Sequence, residues 1–167
     1  IGEEDKRAVR LQKILKAARE LNPHFLKKEK GRVVHTFLEF PLEWGLGSSS
    51  TLISMLSDWA KIDAYLLLEK TFGGSGYDLA AAKADGPIFF EKESDTVKVN
   101  TAYFDPPFKD QLFFVYLNQK KDSREGIQLY QKRKNDADSD IKRISDISTA
   151  LTKTNDLDEF EALVDEH

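Results

Sequence analysis

The chain has 167 residues, 40% of them hydrophobic and 32% charged, with a formal net charge of −4. That balance suits a folded domain with a real core and excludes a disordered polymer, and the acid excess gives no electrostatic ground for a nucleic-acid or anionic-membrane partner. The chain has no cysteine, which excludes disulfides, thiol catalysis and cysteine zinc sites, and no apolar run approaches the ~20 residues of a membrane-spanning helix.

The first residues, IGEEDKR, are charged and read as the start of a helix rather than as a signal peptide; a cytoplasmic location is expected. Val9, Leu11, Ile14, Leu15, Ala18 and Leu21 recur at helical spacing, and Asn22-Pro23 ends that helix. The charged run at residues 27–32 reads as a solvated turn. Residues 33–40 alternate well enough to predict a strand. Leu52, Ile53, Leu56, Trp59, Ala60 and Ile62 predict a helix over residues 51–62. Asp63 is placed to cap a short helix over Ala64–Thr71. Residues 73–76, Gly-Gly-Ser-Gly, break it and lead into an alanine-rich helix that Gly86-Pro87 ends. Residues 88–91 and 96–100 predict a hairpin turning at 92–95. Residues 111–117 are almost wholly apolar, as a buried central strand would be. Helical patterns follow at 124–134, at 139–153 and from Asp156 onward. The class is α/β or α+β, with helices stacked on a mixed sheet.

Two glycine-rich junctions carry chemistry. PLEWGLGSSST, from Pro41 to Thr51, lies between the predicted strand and the predicted helix. Glycines let a backbone approach a phosphate closely, and a helix start offers N–H donors without intrahelical acceptors. A Walker A loop needs a lysine after its last glycine, and none is present. A serine-capped helix after a tight turn is the plain alternative. At the second junction, Gly73-Gly74-Ser75-Gly76 sets Asp78 in the first turn of a helix. The helix dipole favours a carboxylate there, and it could accept a hydroxyl proton. Ordinary helix-terminal chemistry explains it equally well taken alone. Glu69, just before that junction, could meet a hard cation. The histidines, His24, His35 and His167, are too scattered to form a motif.

Taken in order, these elements resemble the GHMP kinase superfamily (galactokinase, homoserine kinase, mevalonate kinase, phosphomevalonate kinase). PLEWGLGSS at Pro41–Ser49 matches that family's P-x-x-x-G-L-G-S-S motif. Ser75-Gly76-Tyr77-Asp78 is similar to the S-G-x-D stretch of the mevalonate kinase branch. The continuation from Asp78 resembles a bacterial sub-branch with a G-Y-D-I-A signature, with Leu79 in place of isoleucine. The resemblance implies a ribosomal protein S5 domain 2-like N-terminal domain, α+β, over residues 1–117, and a truncated C-terminal domain from 118 to 167. It implies ATP and Mg²⁺ as cofactors. Gly45, Leu46, Gly47, Ser48, Ser49 and Ser50 would line the triphosphate, Ser49 and Glu69 would hold the metal, and Asp78 would be the general base. Asn118, Lys120 and Ser123 loosely match an N-x-K…S/T stretch near the substrate. Trp44 stands where many relatives carry a small residue and is expected to fill core, or else to lie beside the nucleotide.

The resemblance covers the middle of a kinase about twice this length, so the chain reads as a central fragment. The segments that supply a lysine near the aspartate and a second glycine-rich motif in relatives are not in it. The implied function is transfer of the γ-phosphoryl group of ATP to a small-molecule alcohol, mevalonate or a related isoprenoid precursor first. A sugar or homoserine kinase is the alternative within the family, and a non-catalytic relative the alternative outside enzymes. Lys120, Lys121, Arg124, Lys132, Arg133 and Lys134 make a weak case for nucleic acid, because acids are interspersed among them. A homodimer is left open.

Overall fold

In the computed structural model, residues 5–27, 31–93, 96–118, 126, 129, 130, 132 and 138–167 are described. They form an α+β protein with a small two-stranded antiparallel sheet. The chain divides into two compact units, one of residues 1–42 and 46–100, the other of residues 43–45 and 101–167.

In the first unit, Asp5 caps α1 (Lys6–Leu21) by accepting from the Arg7 backbone N–H at 2.9 Å. Ile14, Ala17 and Ala18 form its buried stripe. Asn22 ends the helix, its backbone N–H donating to the Ala18 carbonyl, and its side-chain amide donates to the carbonyl of Ala60 at 2.7 Å, satisfying an acceptor left free at the end of α2 (Ser48–Ala60). Phe25 meets the Trp59 ring edge-on at 4.9 Å, fastening the turn after α1 to α2. Lys61 takes a left-handed conformation, and Ile62 N–H reaches back to the Ser57 carbonyl, so α2 stops there. Asp63 then caps α3 (Ala64–Thr71), accepting from Leu66 N–H at 2.9 Å, as expected. Gly76 begins α4 (Tyr77–Lys83). Ile53, Leu56, Leu67, Leu68 and Leu79 close a core with the α1 stripe. The hairpin is β1 (Ile88–Glu93) and β2 (Thr96–Thr101). Residues 94–95 of its expected turn lie outside the described residues.

The second unit holds α5 (Asp138–Leu151) and α6 (Leu157–Glu166), and Ile147 of α5 is buried. Asp156 caps α6 through Glu159 N–H, and the buried Thr154 hydroxyl bonds the Glu159 carboxylate. Phe160 packs against Phe104 and Phe108, at ring separations of 5.9 and 5.2 Å. Arg143 grips Glu166 with two nitrogens. Most of the helix expected at 124–134, and residues 28–30 of the expected charged turn, lie outside the described residues.

Two expected strands are not strands. Residues 33–40 form no ladder, and Val33 and Phe37 stand 84% and 93% exposed. Residues 112–117 are likewise unpaired, with Phe113 at 81% and Phe114 fully exposed. The physical reason is common to both. An apolar or alternating run becomes a strand only beside a partner that takes up its backbone hydrogen bonds, and the ladder among the described residues is β1 with β2. Trp44 is a further correction. It is half exposed, in a short 3₁₀ turn over Leu42–Trp44, and leans on Tyr116 at 6.3 Å instead of filling core.

Candidate functional site

Gly47 precedes α2 with φ +71°, a left-handed conformation that glycine adopts without a Cβ penalty. Its carbonyl accepts from Ser50 N–H at 2.9 Å and Thr51 N–H at 3.0 Å, closing the first turn. The backbone N–H groups of Ser48 and Ser49 precede the first carbonyl they could reach within the helix. No side chain of the Gly47 position caps them.

Asp78 comes to this place from the second glycine junction. A Cβ built on Gly47 would lie 3.9 Å from both Cβ and Cγ of Asp78, so the aspartate faces the bare side of Gly47 and would touch any side chain placed there. The Ser50 hydroxyl donates to Asp78 Oδ2 at 3.5 Å, the long end of hydrogen bonding. At the other end of the same two helices, Lys83 of α4 pairs with Asp58 of α2 at 3.2 Å. The two contacts together mean that α2 and α4 run side by side in one direction, with both starts at one end. That exposed ion pair contributes little energy; its value here is directional.

The second junction is built on three glycines. Gly73, Gly74 and Gly76 have φ of +68°, +105° and +86°. Ser75 Oγ accepts from Tyr77 N–H at 3.2 Å, and Lys92 of β1 donates to the Gly74 carbonyl at 3.5 Å. Tyr77 meets Phe90 of β1 edge-on at 5.8 Å. Gly76 is buried, and a Cβ there would sit 2.7 Å from Cδ1 and Cε1 of Tyr65.

The expected site residues therefore separate into groups. Gly47, Ser50 and Asp78 converge. Ser48 and Ser49 lie in the same helical turn, Ser49 with its side chain exposed. Leu46 is exposed beside them. Gly45 has φ +75° in an open turn. Glu69 is exposed on α3, with no hydrogen bond to Ser49, Ser50 or Asp78 among the described residues. Asn118 is exposed with φ +57°, whereas Lys120 and Ser123 lie outside the described residues. No cluster of three or more His, Asp or Glu side chains among the described residues is arranged to hold a metal ion. Mg²⁺ bound to nucleotide asks for less: one or two oxygen side chains besides phosphate oxygens and water. The exposed Ser49 hydroxyl at the start of α2 fits that oxygen-only donor set.

Tyr65 and Lys92 escaped the sequence reading, since both reach the glycine turn across the fold and neither belongs to a local motif. The larger surface hollow, about 390 Å³, is lined by Val9, Lys13, Lys16, Glu20 and Lys70 among others and shares no residue with either glycine turn. It holds the exposed Lys70–Glu20 ion pair, 3.3 Å apart, and lies along the body of α1 rather than at a helix start, so the glycine turns remain the better candidate for an anion. No helix among the described residues is long and apolar enough to cross a membrane. Comparison of the chain with family models, curated proteins and solved structures gives no match.

Proposed function

We propose that the chain carries the phosphate loop and general base of an ATP-dependent kinase acting on a small-molecule alcohol, of the GHMP type and with mevalonate or a related isoprenoid precursor as first candidate acceptor. One observation carries this reading: the Asp78 side chain lies against Gly47 and beside Ser50, at the shared start of α2 and α4. A donor-rich helix start and a carboxylate are the two parts that phosphoryl transfer to a hydroxyl asks of a protein.

In this reading the Ser48 and Ser49 N–H groups donate to phosphate oxygens, and Gly47 permits close approach. Asp78 accepts the proton of the attacking hydroxyl. The alcohol oxygen bonds to the γ-phosphorus as the bond from that phosphorus to the ADP oxygen breaks, and ADP departs as the leaving group. When bound, Mg²⁺ would neutralise charge on the phosphates, with Ser49 as its protein-side oxygen; Glu69 is retained as a metal candidate on sequence grounds. Asn118, Lys120 and Ser123 are retained as acceptor-side candidates on sequence grounds. Cytoplasmic isoprenoid metabolism is the setting this reading implies.

A second reading rests on the same contact. Asp78 is itself an anion near the start of α2, where its charge complements the helix dipole. A non-catalytic relative of the same fold would need no more than that. A coupled ADP-release assay separates the two, using full-length protein with mevalonate, phosphomevalonate, homoserine and galactose. Acceptor-dependent ADP release supports the kinase. Its absence with all four, together with no stabilisation by Mg·ATP, leaves Asp78 as a carboxylate that complements the helix dipole.

A further inference from the structure

We infer that Tyr65 is a positioning residue: its ring is the wedge that seats the Gly73–Gly76 turn and thereby holds Asp78 against Gly47. The inference rests on the kinase reading for its effect on rate, but not for its geometry. Tyr65 is the second residue of α3, half-buried and packed on the core of Leu67, Leu68 and Leu79. Its Cδ1 and Cε1 occupy the space where any Cβ at position 76 would be, 2.7 Å away, and Leu68 Cδ2 borders the same spot at 3.9 Å. Gly76 is buried beneath this ring, and it is the residue from which α4 starts, its carbonyl accepting from Leu79 and Ala80 N–H. Asp78 follows two residues later. The aspartate's place is therefore set on one side by Gly47 and Ser50, and on the other by the ring under which its helix begins. The turn itself, with three glycines at positive φ, has little intrinsic preference for one shape. Lys92 and Ser75 restrain it through long hydrogen bonds, at 3.5 and 3.2 Å. A rigid aromatic ring in van der Waals register is the stiffer constraint.

Two measurements test this. The first needs no activity. The chain contains no native cysteine, and the 3.9 Å between the Cβ place at Gly47 and Cβ of Asp78 lies within the ~3.5–4.5 Å span of disulfides. Gly47→Cys/Asp78→Cys is expected to cross-link readily under mild oxidation, and adding Tyr65→Ala is expected to slow cross-linking about tenfold or more, as the turn loses its seat. Equal cross-linking rates with and without Tyr65→Ala overturn the inference. The second measurement uses the full-length kinase with its best acceptor. Tyr65→Ala is expected to lower kcat about 10²-fold, as for a misplaced base, while KM for Mg·ATP stays within about twofold; Tyr65→Phe, which keeps the ring, restores the rate. A parallel rise in KM with loss of thermal stability, or a Tyr65→Phe as slow as Tyr65→Ala, contradicts ring-based positioning. Tyr65→Leu, which preserves apolar bulk in the core, replaces Tyr65→Ala in both measurements if the alanine variant does not fold. A wild-type protein with no phosphoryl transfer defeats the kinase reading alone, and the cross-linking result then decides the role of Tyr65.

Discussion

Asp78 faces the bare side of Gly47, 3.9 Å separating its Cβ from the place where a side chain on Gly47 would begin. Two glycine turns distant in sequence thus meet at one point, and they do so because α2 and α4 lie alongside each other in the same direction. At that point a carboxylate faces a helix start with N–H donors to spare. The charge of Asp78 favours a proton donor and a cation beside it, and it opposes a bare anion. ATP without a divalent cation should therefore bind poorly here, and the cation requirement should weaken when the carboxylate is neutralised.

Asp78→Asn tests both halves of that argument. The amide still accepts from Ser50, so the fold should keep its thermal transition within a few degrees. Phosphoryl transfer should fall at least ~10²-fold with the base removed. Metal-free ATP should bind tighter than to the wild type. Single-turnover kinetics and equilibrium titration read the two effects separately, and retained turnover would remove Asp78 from the base role.

Ser49 and Ser50 should divide their labours. Ser49 is exposed at the helix start, whereas Ser50 touches Asp78. Ser49→Ala should raise the Mg²⁺ concentration needed for half-maximal rate. Ser50→Ala should lower kcat by loosening the carboxylate, with the metal titration little changed. A metal titration unmoved by Ser49→Ala would count against coordination there.

Gly76 is held by two independent constraints, a φ of +86° and the Tyr65 ring. Gly76→Ala should destabilise the first unit by about 2–4 kcal/mol through backbone strain and overpacking together. Gly74→Ala, with a φ of +105° and open space around it, should cost about 1 kcal/mol from strain alone. Urea unfolding of both variants checks the order, and equal midpoints would mean that the turn shifts freely away from Tyr65.

The second unit has its own pH dependence. Hydrogen bonding to Arg143 holds the Glu166 carboxyl below its ordinary range. A carboxyl lowered in the folded state stabilises at pH above its unfolded value, and that contribution is lost as pH falls through the folded value. The α5–α6 pairing should therefore weaken only as pH falls below the ordinary glutamate value of 4.5. Because the pair is half exposed, the effect should be small and salt-sensitive. NMR titration of Glu166, repeated in Arg143→Gln, should show the depressed midpoint return toward the ordinary glutamate range.

The helices were legible in the sequence because their determinants are local. Ile14 with Ala18, the Asp63 cap and the glycines at 73–76 mark α1, α3 and the start of α4 without reference to anything distant. The glycine turns were legible for the same reason. Residues 33–40 and 111–117 misled because a strand is a property of a pair, and their apolar patterns say nothing of whether a neighbour supplies the hydrogen bonds. Trp44 misled because bulk suggests burial, while its place in a 3₁₀ turn leaves it at the surface. Which of three consecutive serines faces Asp78 depends on rotation about the α2 axis and on the α2–α4 approach. Tyr65 could be found only once α3 was folded back over Gly76.

Calorimetric titration of Mg·ATP onto the wild type and onto Gly47→Val, with each protein's thermal transition recorded, is the most direct test of the account. A β-branched side chain at φ +71° would crowd the donors of Ser48 and Ser49 and strain the turn. The account predicts binding to the wild type that depends on Mg²⁺, and loss of that binding in a Gly47→Val protein that still unfolds cooperatively. Equal Mg·ATP affinity in the two folded proteins, or no affinity in the wild type, would contradict it.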